Sequence, residues 1–111
     1  MIETARRRAE MVRRWREFVG MLAEAVRKVL GDADVYVFGS VVTGECVASS
    51  DVDVLVVSDR VPESMLERGA LKVEIEDAAG LPVYHPFELH FVKPDEAMHY
   101  FKKIGRNILR V

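Results

Sequence analysis

Apolar side chains at Met11, Trp15, Phe18, Leu22, Val26 and Val29 recur at spacings of three and four, with arginines and glutamates between them. That period belongs to a helix with one buried stripe, and it predicts a single amphipathic helix from about residue 3 to residue 30, closed by Gly31. The pattern then changes. Asp34 to Phe38 is β-branched and aromatic, and Val52 to Val57 and Phe87 to Val92 are apolar with period two, so each predicts a short strand. Between the first two strands, Gly39-Ser40 leads into at most one helical turn and then a polar loop from Gly44 to Ser50. Pro62 stands where the next helix is expected to open, and Gly80 and Pro82 where it stops, near Ala79. Pro94-Asp95-Glu96 starts a last helix carrying Ala97, Phe101 and Ile104. The order αβ(α)βαβα predicts an α/β (α+β) fold, a small mixed sheet with helices packed on it.

Composition narrows the class without changing this layout. The 111 residues are 50% hydrophobic and 31% charged, which fits one domain, 1–111, around a single core. Cys46 is the one cysteine, which excludes an internal disulfide and a cysteine-based zinc site, and a cytoplasmic location is expected. No apolar run approaches the roughly 20 residues of a membrane helix, and no apolar segment follows the arginine-rich start. Charge is uneven: residues 1–30 hold eight Lys and Arg against four Glu, the rest hold eight against fourteen, and the net is −2. Arg6, Arg7, Arg8, Arg13, Arg14 and Arg16 could neutralise phosphates. However, Glu3, Glu10 and Glu24 stand four residues before Arg7, Arg14 and Lys28, the order of helix-surface ion pairs. A solvated face is therefore expected, with partner binding in reserve and direct nucleic-acid binding not expected.

The stretch V-F-G-S-V-V-T-G-E-C-V-A-S-S-D-V-D-V-L-V-V-S, residues 37 to 58, carries the chemistry. Asp51 and Asp53 are placed to point the same way from one strand, about 6.6 Å apart, while Val52, Val54 and Val56 face the core. Two carboxylates so close repel each other unless a cation lies between them, and a hard divalent ion such as Mg²⁺ suits oxygen ligands. Gly39 lets the backbone approach an oxyanion, and Ser40 can offer its hydroxyl and N–H to phosphate. Taken singly, Gly-Ser is an ordinary turn and Asp-x-Asp a calcium-type or solvated loop. Taken together, G-S-x₃-G-x₅-S-D-x-D between two strands is far more specific. Tyr36 could share the carboxylate face, and His90 could contact a metal or be a hydrogen-bonded neighbour. His85 and His99 look like loop and helix-surface residues, and Cys46 lacks a nearby histidine to activate it.

These residues resemble the nucleotidyltransferase superfamily of DNA polymerase beta, and within it the minimal nucleotidyltransferase (MNT) proteins, over about residues 34–93. The resemblance implies that Gly39, Ser40 and Ser50 belong to the nucleotide-phosphate site and that Asp51 and Asp53 are metal ligands. It also implies a third carboxylate on a following strand. In P-F-E-L-H-F-V, the core takes Phe87, Leu89 and Phe91, so Glu88 is the matching residue, completing a catalytic set of Asp51, Asp53 and Glu88 around two Mg²⁺ ions. Thr43 stands where many relatives carry arginine, and Glu88 is one methylene longer than aspartate. Proteins of this kind are commonly paired with a helical HEPN ribonuclease toxin, the MNT member acting as antitoxin by transferring AMP from ATP to a toxin tyrosine. A non-catalytic contact antitoxin and a small-molecule nucleotidyltransferase are the alternatives, and the lack of room for an acceptor domain speaks against the second.

Overall fold

The period-two pattern of residues 52–57 places them at the centre of the molecule. In the computed structural model, which describes residues 2–111, β2 (Val52–Val57) lies between β1 (Asp34–Phe38) and β3 (Phe87–Val92). It pairs antiparallel with β1, Val37 opposite Val54, and parallel with β3, Val54 opposite Leu89. A parallel neighbour requires a long crossover, and α4 (Met65–Ala78) supplies it between β2 and β3. A fourth strand, β4 (Ile108–Arg110), adds to the far side of β1, giving the order β3-β2-β1-β4. The mixed sheet expected from the sequence is present.

The two sheet faces have different jobs. Val35, Val37, Val52, Val54, Val56 and Phe87 are all but inaccessible on one face. They form the main core with Val19, Leu22 and Val26 of α2 (Trp15–Leu30) and Leu71 and Ile75 of α4. On the opposite face, Leu55, Val57 and Val92 are covered by Ala97, Tyr100 and Phe101 of α5 (Pro94–Ile104), with Tyr36 and Phe38 packed alongside. That cover leaves the end of the face carrying Asp53, Glu88 and His90 more open.

The elements depart from the sequence-based expectations in three places. The N-terminal stripe forms two helices, α1 (Ile2–Arg13) and α2, because Arg14 adopts φ −102° and ψ 33° between them. Arg14 keeps its amide bond to the Glu10 carbonyl, while its guanidinium pairs with Glu17 at 2.6 Å and lies 5.5 Å from the centroid of the Phe18 ring. The turned residue is thus held by its own neighbours, so the apolar periodicity runs through the break unmarked. For the same reason Glu10 bonds Arg13, three residues on, and Arg14 is left to Glu17. α4 begins at Met65 rather than at Pro62, since the Ser64 hydroxyl accepts the Glu67 amide at 3.1 Å and so sets the first turn. β4 was not expected: three residues after Gly105 are too few to show a period, and they become a strand by pairing with Tyr36, Val37 and Phe38. The short turn after Gly39 is α3 (Ser40–Thr43).

β3 is an edge strand, and side chains meet its outward backbone groups at both ends. His85 Nδ1 accepts the Phe87 amide at 3.0 Å, and its Nε2 meets the Glu76 carboxylate of α4. With Nδ1 accepting, Nε2 carries the proton and donates it to Glu76. His85 is therefore a loop residue with its ring pinned and its side chain only 7% exposed. At the other end, Arg68 of α4 donates to the Phe91 carbonyl at 2.8 Å, to the Pro62 carbonyl at 2.7 Å and to Glu96 of α5 at 2.7 Å. Glu96 also accepts the Lys93 amide at 2.9 Å, closing the start of α5. The Arg68 hydrogen bond, and then that amide, hold the Glu96 carboxyl below its ordinary value. Among the described residues no helix is long and apolar enough to cross a membrane.

Two expectations follow for stability. Replacing the helix cap, Ser64→Ala, is expected to lower unfolding free energy by about 1 kcal/mol in urea titration. A carboxyl whose value is lowered by folding adds stability above its unfolded value and loses it as pH falls through the folded one. The stability gap between the wild type and Glu96→Gln should therefore be widest near neutral pH and narrow steadily below about pH 4.5.

Candidate functional site

Burying the valines of β2 forces the residue between Val52 and Val54 onto the other face, and that residue is Asp53. Its backbone partners are Phe38 on β1 and Glu88 on β3. The parallel register puts Glu88 level with Asp53 and His90 two residues further along the same face. The His90 Nε2 lies 3.3 Å from Asp53 Oδ1, and both side chains are about a third exposed, at 31% and 28%. Glu88 is exposed, and one ligand atom from each of Asp53, Glu88 and His90 falls within 4.8 Å of the others. Two carboxylate oxygens and an imidazole nitrogen on two adjacent strands form a donor set suited to a divalent cation.

Gly39 completes this cluster from β1. It sits at φ 90° immediately before α3, and a Cβ there would stand 2.6 Å from Asp53 Oδ2. Both the backbone angle and the close approach of the carboxylate require glycine. Ser40 opens α3, where its carbonyl accepts from the Thr43 hydroxyl at 3.2 Å and from the Glu45 amide at 3.0 Å. The Gly-Ser turn and Asp53 are thus adjacent in space although 14 positions separate Gly39 from Asp53.

The other residues singled out from the sequence are more dispersed. Asp51 precedes β2 rather than belonging to it, and its carboxylate meets Arg8 of α1 at 2.6 Å. Asp51 is not one of the three donors that converge. The Ser50 hydroxyl accepts the Val47 amide at 2.8 Å, closing the loop before β2. Tyr36 does lie on the face of Asp53, where it packs edge-on against Phe101 with ring centroids 5.2 Å apart. His90 is flanked by Phe38 at 5.5 Å and Tyr100 at 6.2 Å between centroids, which frames its ring beside Asp53. His99 is exposed on α5, and Cys46 is half-buried against the core. Sequence reasoning left two features unplaced. His90 was ambiguous until the strand register set it beside Asp53, and Arg8 had no signal beyond membership of an arginine-rich helix.

Comparison with known proteins agrees with the geometry. A family model described as a nucleotidyltransferase domain matches residues 19–108, from within α2 to the start of β4. Among solved structures, a candidate nucleotidyltransferase is 29% identical, with a TM-score of 0.59, covering 84% of this chain and 96% of that one. A second candidate nucleotidyltransferase, from Sulfolobus solfataricus, shares the fold at 19% identity and a TM-score of 0.54, covering 98% of this chain and 83% of that one. No curated protein matches the chain. The family match spans both the Gly-Ser turn and the strands bearing Asp53, Glu88 and His90, and on that evidence the chain belongs to the nucleotidyltransferase-domain family.

Proposed function

We propose that the protein transfers AMP from ATP to a protein hydroxyl, using Mg²⁺, and that the acceptor is a tyrosine of a helical HEPN ribonuclease that it thereby silences as an antitoxin. The observation that carries the reading is the convergence of Asp53, Glu88 and His90 beside Gly39. The site fits a divalent cation on its donor chemistry: two carboxylate oxygens and an imidazole nitrogen lie within 4.8 Å of one another on one sheet face. Asp53, Glu88 and His90 would hold the ion, with Asp51 near at hand in the chain for a second. When bound, such ions neutralise charge on the triphosphate and on the leaving pyrophosphate.

The chain's own groups have separate tasks in this scheme. The acceptor oxygen attacks the α-phosphorus of ATP; a new P–O bond forms, the bond to pyrophosphate breaks, and pyrophosphate leaves with the electron pair. The acceptor hydroxyl must lose its proton, and Glu88, exposed at the open end of the face, is the carboxylate positioned to take it. Before an ion binds, His90 Nε2 lies against one oxygen of Asp53 and so fixes the orientation of that carboxylate. The turn at Gly39-Ser40 receives the terminal phosphates through backbone N–H groups, and glycine at 39 lets that turn lie directly against Asp53, where a Cβ would meet the carboxylate. α5 covers the sheet from His90 onward and leaves Glu88 exposed, so the molecule that brings the acceptor would form the facing wall. That geometry supports a macromolecular acceptor over a small one.

The test is intact mass of a helical HEPN-type ribonuclease after incubation with this protein, ATP and Mg²⁺, the product of an adjacent gene being the first candidate acceptor. A gain of one or more AMP units is expected with the wild type, and rates at least about a hundredfold lower with Asp53→Asn or Glu88→Gln. No gain with the wild type would sink the adenylylation reading, and metal-dependent ATP binding without a gain would favour inhibition by contact. Gly39→Ala should weaken divalent-ion binding in calorimetry, because the added carbon displaces Asp53, and lower the midpoint of thermal unfolding through the strained φ.

A further inference from the structure

We infer that Arg8 is a residue of the site, an internal cation that holds the Asp51 carboxylate and competes with a divalent ion for it. The inference rests on the metal-dependent reading above. Arg8 Nη2 donates to Asp51 Oδ1 at 2.6 Å across 43 residues of sequence. The neighbouring ion pairs Arg7–Glu3, Arg13–Glu10 and Arg14–Glu17 are all local, between residues three or four apart. Arg8 differs from them in direction and burial: it leaves its own helix, its side chain is only 23% exposed, and the acid it reaches stands two residues from Asp53.

The electrostatics give this contact its meaning. With no metal, Asp51 lies close in sequence to Asp53, and the guanidinium screens a repulsion that would otherwise build as these carboxylates approach. A divalent ion drawn to the same carboxylates reverses the balance, since a guanidinium and a dication then share one side of Asp51. Releasing Arg8 requires little, because Met11 and Val12, not Arg8, are the buried anchors of α1. A rotation of one long side chain is enough. The family match begins at residue 19, so Arg8 reaches the site from a helix outside the matched segment. Arg8 is therefore a positioning residue particular to this arrangement, tuning how readily Asp51 is surrendered to an ion.

Titration of Mn²⁺ into the full chain without nucleotide, with free ion read by electron paramagnetic resonance, tests this directly. Arg8→Gln should bind Mn²⁺ about two- to fivefold more tightly than the wild type, the range of one partly exposed ion pair. Arg6→Gln removes the same charge from the same helix without touching Asp51, and its affinity should match the wild type. In an Asp51→Asn background, Arg8→Gln should change nothing. Equal affinity of the wild type and Arg8→Gln, or an equal gain from Arg6→Gln, would overturn the competition while leaving the metal site intact. If none of these chains binds Mn²⁺, the metal-dependent reading falls and the competition with it.

Discussion

Side chains on a strand alternate, and β2 uses that alternation without slack. Its even-numbered valines are sealed into the core between the sheet and helices α2 and α4, so its odd positions must face the other way. A slip of one residue would bury Asp53 and expose three valines, a change no local adjustment could absorb. The same rule governs β3, where burial of Phe87, Leu89 and Phe91 sends Glu88 and His90 outward. Because β2 and β3 run parallel in register, the outward groups arrive level with one another. The donor cluster is thus a by-product of how the core is packed, and its geometry is as firm as the core itself.

That dependence explains what could be seen without coordinates. The three main strands and their inward faces were legible because period-two burial writes itself into residue type, which put Glu88 and His90 on the outward face; the resemblance singled out Glu88, and the role of His90 stayed open until the register placed it beside Asp53. The break at Arg14 was not legible, since it rests on guanidinium contacts with Glu17 and Phe18 that any helical arginine might make or decline. β4 was hidden for a different reason: Ile108 to Arg110 form a strand only because the edge of β1 is available to pair with. The partner of Asp51 was equally out of reach, because a contact spanning 43 residues depends on where α1 lies in space. Local chemistry was readable, and tertiary choice among equivalent arginines was not.

The helix that sequence periodicity joined to α2 also changes the character of the site. Were α1 simply the first half of one straight rod, its arginines would be a uniform solvated stripe. The turn at Arg14 separates it from α2, and Arg8 becomes a long-range contact while Arg7 and Arg13 stay in local pairs. Charge that looks alike along the chain is therefore divided into two kinds of work by a single backbone angle.

The outer margin of β3 has a consequence for how this protein behaves in company. A strand that carries exposed site residues at the end of a sheet presents unpaired amides and carbonyls, the template on which other chains add and aggregate. Here His85 takes the Phe87 amide and Arg68 takes the Phe91 carbonyl, so the open length between them is too short to seed a long ladder. The site can stay at the rim, within reach of a large acceptor, while the rim itself resists becoming part of a neighbour's sheet.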